Sequence, residues 1–127
     1  MWEKINKQSE ILFHNCLEKK LTITTAESCT GGMIASSIVS VSGSSAIFKS
    51  SVVTYSNEMK SKILNIPLKS INENGAVSKV IAYTMAYNVL DLMNSDISIA
   101  VTGIAGPGGG SKNKPVGLVY IGTVSYT

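Results

Sequence analysis

A chain of 127 residues, 44% hydrophobic and 15% charged, has the size of one globular domain that buries roughly two-thirds of the surface its unfolded form exposes. Its net charge of +3 is too mild and too dispersed for a nucleic-acid footprint and argues against nucleic acid as the partner, but it suits a small anionic substrate such as a phosphorylated metabolite. Cys16 and Cys29 lack the spacing of a metal clip and give no disulfide framework, and no segment reads as an export signal or as the ~20 apolar residues of a membrane span. A reducing cytoplasm is the expected setting.

From Trp2 to Lys20 the residues Trp2, Ile5, Leu12, Phe13, Cys16 and Leu17 gather on one side of a 3.6-residue period, which predicts a surface helix lying on a core. Leu21 to Ala26 is short and β-branched, a strand; after a Ser/Thr/Gly junction, Met33 to Val39 is helix-compatible. Ser51 to Tyr55 reads as a second strand, and Asn57 as the cap of a helix from Glu58 to about Leu64 that Pro67 cannot extend. Tyr55 then ends a strand and Lys60 lies in the first turn of the next helix. After a turn at Gly75, Ser78 is positioned to cap a helix running to about Met93, apolar around most of its circumference and so expected to be buried. Ile97 to Thr102 is a third strand. A glycine-rich loop from Gly103 to Pro115 leads to a fourth, Val116 to Val124, whose near-continuous apolar character predicts cover on both faces. The alternation implies an α/β fold: a three-layer α/β/α sandwich around a mainly parallel or mixed sheet, forming one domain over 1–127.

The chemistry gathers in three segments. Ala26-Glu27-Ser28-Cys29-Thr30-Gly31-Gly32 sets a hydroxyl where a helix begins, beside free N–H groups able to hold the negative oxygen of an attacked carbonyl. Serine at such a junction also serves as a simple cap or turn residue. Cys29 is a rival nucleophile, but cysteine catalysis usually recruits a histidine, and the only one, His14, falls on the first helix away from its apolar stripe. The proton acceptor is then sought in Tyr55-Ser56-Asn57-Glu58-Met59-Lys60, where a phenol and an amine lie close in sequence. A free lysine titrates near 10.4, so bringing Lys60 to neutrality takes a shift of roughly three units, about 4 kcal/mol, from burial or a neighbouring cation. The plain alternatives are an exposed helical lysine and a core-lining tyrosine. The third segment, Thr102-Gly103-Ile104-Ala105-Gly106-Pro107-Gly108-Gly109-Gly110, lacks the Lys-Ser/Thr ending of a phosphate-binding P-loop. Its N–H groups, with Lys112 and Lys114 downstream, can enclose a phosphate or amide, or the loop is only a hairpin connection. No cluster has metal-ligand spacing, so no metal is expected.

Together with Gly43-Ser44-Ser45-Ala46-Ile47-Phe48, Gly75-Ala76-Val77-Ser78 and Lys114-Pro115-Val116-Gly117, these segments resemble the CinA C-terminal domain family from about Leu21 to Val124. The resemblance implies a nicotinamide-nucleotide amidohydrolase that converts nicotinamide mononucleotide to nicotinate mononucleotide and ammonia in pyridine-nucleotide salvage, without metal or organic cofactor. It implies Ser28 as nucleophile and Lys60 with Tyr55 for proton transfer. It also implies backbone donors near Thr30, Gly31 and Gly32 as the oxyanion site, and Thr102, Gly103 and Gly106 lining the ribotide pocket, with Ser44 and Ser45 as polar contacts. A homo-oligomer is the expected assembly, and relatives are expected to continue beyond the point where this chain ends. Two other classes stay open: a non-catalytic pyridine-nucleotide-binding or interaction module, and an accessory protein in DNA uptake or recombination.

Overall fold

The computed structural model describes residues 1–126; Thr127, the last residue of the expected domain, lies outside the described residues. Four strands, β1 (Ile23–Glu27), β2 (Phe48–Val53), β3 (Ile97–Gly103) and β4 (Val119–Ser125), form one mixed sheet in the order β2-β1-β3-β4. β1 runs parallel to both β2 and β3, while β4 is antiparallel to β3. Five helices surround it: α1 (Trp2–Lys19), α2 (Met33–Val39), α3 (Asn57–Leu64), α4 (Leu68–Asn74) and α5 (Lys79–Met93). No helix among the described residues is long and apolar enough to cross a membrane.

Two apolar cores separate the layers, as the sandwich predicts. On one face Ile81, Met85 and Val89 of α5 pack over Ala26 and Ala100, with Leu64, Ile66 and Ile71 closing the side. Small residues let the helix come close: a Cβ at Gly122 of β4 would lie 2.5 Å from the Ala82 carbonyl. On the other face Leu12, Phe13 and Cys16 of α1 join Ile34 and Ile38 of α2 against Ile23, Ile47 and Ile97. Since α2 follows β1 on one face and α5 precedes β3 on the other, the crevice outside the carboxyl ends of β1, β2 and β3 is where this topology places a ligand.

Several boundaries differ from expectation, each for a local reason. Lys20 adopts a left-handed conformation and Leu21 donates to the Cys16 carbonyl, closing α1, so β1 starts at Ile23 rather than Leu21 and includes Glu27. β2 ends at Val53, leaving Tyr55 outside it, because the chain turns into the cap of α3. That cap is Ser56, whose hydroxyl accepts from the Met59 N–H, and not Asn57. The helix α4 was not expected; it begins directly after Pro67, whose fixed φ suits the entrance to a helix. β4 starts at Val119, since Ile104 exchanges hydrogen bonds with Gly117 and Leu118 and holds those residues in a turn. It is an edge strand with alternating exposure, Ile121 being 67% exposed, and is not covered on both faces. On α5 one face is buried, whereas Val80, Tyr83, Tyr87 and Leu92 are exposed. Trp2 and Leu17 likewise lie outside the buried stripe of α1.

Candidate active site

Ser28, Tyr55 and Gly103 stand at the carboxyl ends of the three parallel strands, where a cleft of about 220 Å³ opens, lined also by Cys29, Asn57, Lys60, Ala76 and Thr102. Larger hollows border α1, one of about 550 Å³ beside Leu12, Cys16, Lys19 and Ile97, away from Ser28 and Lys60.

Lys60 is placed by the first turn of α3. Ser56 caps the helix and its carbonyl takes the Lys60 N–H, so the side chain points back across the end of β2 toward Ser28. The result is a lysine only 1% exposed, its Nζ lying 3.1 Å from the Ser28 hydroxyl, 3.0 Å from the Thr54 carbonyl and 3.2 Å from the Tyr55 carbonyl. No carboxylate forms an ion pair with it among the described residues. Burial therefore pushes the Lys60 pKa below that of an ordinary lysine, opposed only by a weaker influence of Cys29. Nζ donates to all three of these oxygens; once it loses a proton it keeps two N–H groups for the two carbonyls and has a lone pair to accept the Ser28 O–H. Ser28 is itself buried, 6% exposed.

Cys29 adjoins this pair without a hydrogen bond to Lys60. Burial raises its thiol pKa, against lowering by the N–H groups of Cys29 and Thr30 and by Lys60. A thiol kept protonated is a poorer nucleophile than its thiolate. Gly103 flanks the sulfur on the other side. A Cβ there would lie 3.0 Å from Cys29 Sγ and 2.9 Å from both the Leu118 carbonyl and the Val119 side chain, so only glycine lets the third strand end this close.

Glu27 escaped the sequence reading. Its carboxylate, in a residue with no exposed surface, accepts from Thr30 Oγ1 at 2.7 Å, from the N–H groups of Gly32, Ile34 and Ala35 at 3.2, 3.0 and 2.9 Å, and from Thr25 Oγ1 at 3.2 Å. An acidic residue shortly before a helix start, complementing that helix's positive end, was the available signal. The same bonds change the oxyanion assignment. Gly32 N–H is taken by Glu27, and Gly31 N–H by the Ser28 carbonyl at 3.0 Å, so neither is free. Gly32 remains necessary as the φ +100° residue opening α2.

The remaining expected residues divide. The Thr102 hydroxyl donates to the Ala76 carbonyl at 2.8 Å and so ties β3 to the segment before α5 along the cleft wall. Tyr55 reaches Lys60 through its carbonyl, while its side chain is 71% exposed at the cleft mouth and shares no hydrogen bond with Ser28 or Lys60. Gly106 lies in the exposed loop against Val116, outside the cleft lining. Ser44 and Ser45 precede β2 at the opposite end of the sheet, near the Ile47 carbonyl that meets the start of β1, and do not reach the cleft. Lys114 donates from Nζ to the Asn74 carbonyl at 3.3 Å and, like Gly106, is not part of the cleft lining. No group of three His, Cys, Asp or Glu side chains among the described residues is placed to hold a metal ion.

A family model, the CinA C-terminal domain, matches residues 5–127. The chain is 54% identical over 113 residues to a CinA-like protein of Prochlorococcus marinus (strain MIT 9515), covering 89% of this chain and 26% of that protein. It is 58% identical over 107 residues to a CinA-like protein of Endomicrobium trichonymphae, covering 84% and 25%. The chain thus spans about a quarter of the length of the curated relatives it matches. Among solved structures, the competence/damage inducible protein CihA from Agrobacterium tumefaciens aligns with a TM-score of 0.94 at 40% identity, over 96% of this chain and 74% of that one. A competence-damaged protein (CinA) superfamily protein from Escherichia coli aligns at 0.85 with 30% identity, over 97% and 77%.

Proposed function

We propose that this chain, which belongs to the CinA C-terminal domain family, is an amidohydrolase that deamidates nicotinamide mononucleotide through Ser28 and Lys60. The observation that carries the reading is the buried Lys60 amine, 3.1 Å from the Ser28 hydroxyl and with no carboxylate partner among the described residues. A serine needs an adjacent base to act as a nucleophile, and a lysine serves as that base only when neutral.

In the reaction, Ser28 Oγ attacks the carboxamide carbon while its proton passes to the lone pair of Lys60. The tetrahedral intermediate collapses as the Lys60 ammonium returns that proton to the departing nitrogen, breaking the C–N bond and releasing ammonia. Water then attacks the ester, gives a proton to Lys60, and expels Ser28, which recovers its proton from the same amine. The net change is amide and water to carboxylic acid and ammonia. Proton transfer rests on Lys60 alone in this scheme. The Tyr55 ring, exposed at the mouth, offers a flat face for the pyridine ring.

The test is ammonia release from nicotinamide mononucleotide by the purified chain and by Ser28→Ala. Turnover by the first and none by the second is the expected result. Ammonia released equally by a folded Ser28→Ala protein rejects Ser28 as the nucleophile, and ligand binding without any turnover favours the non-catalytic module.

A further inference from the structure

We propose that the outer edge of β4 joins a second copy of this chain, the two β4 strands pairing antiparallel about a two-fold axis at Gly122 so that the two sheets become one. The interface is independent of the chemistry at Ser28.

The sheet has two outer strands, and they are finished differently. β2 carries Lys49, and its register with β1 is irregular between Ile23 and Thr25, both of which discourage a further strand. β4, with the sequence Val-Tyr-Ile-Gly-Thr-Val-Ser, has no charged residue and no proline, and its register with β3 is unbroken. Ile104 N–H donates to the Leu118 carbonyl. The two-residue alternation of an antiparallel ladder then turns the N–H and C=O groups of Tyr120 and Gly122 toward β3 and those of Ile121 and Thr123 outward. Among the described residues no strand lies beyond them.

The surfaces above and below this edge are self-complementary. Gly122 runs under α5, where a Cβ would lie 3.1 Å from the Tyr83 nitrogen. An axis at Gly122 therefore brings Tyr83 of one copy to Tyr83 of the other, and the antiparallel helices set Lys79, one turn before, against Tyr87, one turn after. Tyr83 and Tyr87 are exposed, with ring centroids 6.2 Å apart, and Lys79 has no ion pair among the described residues. Paired phenols, and an ammonium over a phenol ring, attract. Because α5 packs on both β3 and β4, the two α5 axes come about two strand spacings apart, ~10 Å, the distance at which helices pack. On the opposite face Val119 and Ile121 are exposed, and the Ile121 side chains of the two copies become diagonal neighbours. Ile121 N–H meets the Thr123 carbonyl of the second copy, and Thr123 N–H meets its Ile121 carbonyl, each twice by symmetry. The strand of another polypeptide would satisfy those main-chain groups alone; a second copy also supplies the tyrosine, lysine and isoleucine contacts in the order the axis requires.

An interface of this extent lies at the small end for specific association, below about 1,200 Å² in total. Sedimentation equilibrium of the full chain should therefore show a reversible shift from 13.4 kDa to twice that mass as its concentration rises from about 1 µM to several hundred µM. Amide hydrogen exchange of the unmodified chain reads the register: from dilute to concentrated protein, exchange at Ile121 and Thr123 should slow at least about tenfold, and at Gly122, already bonded to β3, less than about twofold. Ile121→Lys, at an exposed position, sets two ammonium groups together and is expected to weaken dimerisation at least about tenfold; Tyr83→Ala should weaken it about threefold to tenfold. A chain that stays monomeric throughout overturns the proposal and leaves the edge to a strand of another polypeptide. A dimer whose Ile121 and Thr123 amides exchange as in the monomer, or one that Ile121→Lys does not loosen, also overturns it, because association then uses another face.

Discussion

Two ionisable side chains are buried on either side of Ser28, and their surroundings are opposite. At the start of α2, Glu27 meets five donors and nothing that repels a negative charge. At the start of α3, Lys60 meets two carbonyls, a hydroxyl and no carboxylate. Equal burial thus leads to different chemistry: the Glu27 side chain is saturated with donors and holds the turn, while Lys60, without a carboxylate partner, is driven toward its neutral form.

The comparison predicts a graded set of losses. Ser28→Ala removes the group both regions serve and should lower kcat by about 10⁴–10⁶-fold, measured as ammonia release, with the melting temperature held within a few degrees. Lys60→Met should cost about 10²–10⁴-fold in kcat and leave KM nearly unchanged; a comparable loss confined to KM would instead make Lys60 a binding group. Glu27→Ala should act first on stability. It leaves the Gly32, Ile34 and Ala35 N–H groups and the Thr30 hydroxyl without their acceptor, a cost of about 3 kcal/mol or more, readable by urea unfolding, whereas Lys60→Met should be far milder.

The smallest expected effect is on pH. The folded protein holds Lys60 below its ordinary pKa, so between that lowered value and 10.5 the unfolded chain binds more protons. Stability therefore rises with pH through the window, and Lys60→Met should lose that part of the slope. Activity should rise through the same lowered pKa, since only the neutral amine accepts the serine proton. A Lys60→Met protein with the full slope would show that other groups produce it.

Much of this arrangement was legible in the chain. Periodicity and caps located α1, α2 and α5, and the alternation of elements gave the layers, because those segments carry complete hydrophobic faces. Ser28 and Lys60 were legible because each sits beside a helix start, a position with a local signature. What stayed hidden depends on contacts distant in sequence. No local pattern shows that Lys60 is enclosed by the end of β2, or that Gly103 must be bare because Cys29 and Leu118 crowd it. Glu27 was missed because a lone acid at a strand end reads as solvated until the helix donors are seen to converge on it. Ser44 and Ser45 were carried along by the resemblance alone, and the fold sets them at the far end of the sheet.

Reactivity at Ser28 depends on the protonation of one amine, which an NMR titration of the Lys60 side chain, with its ε-carbon labelled, observes without any substrate. The predicted curve has a midpoint clearly below 10.5, returning toward the ordinary lysine value on unfolding. A Lys60 that titrates in the folded protein where the surface lysines do would contradict the account, because a charged Lys60 has no lone pair with which to activate Ser28.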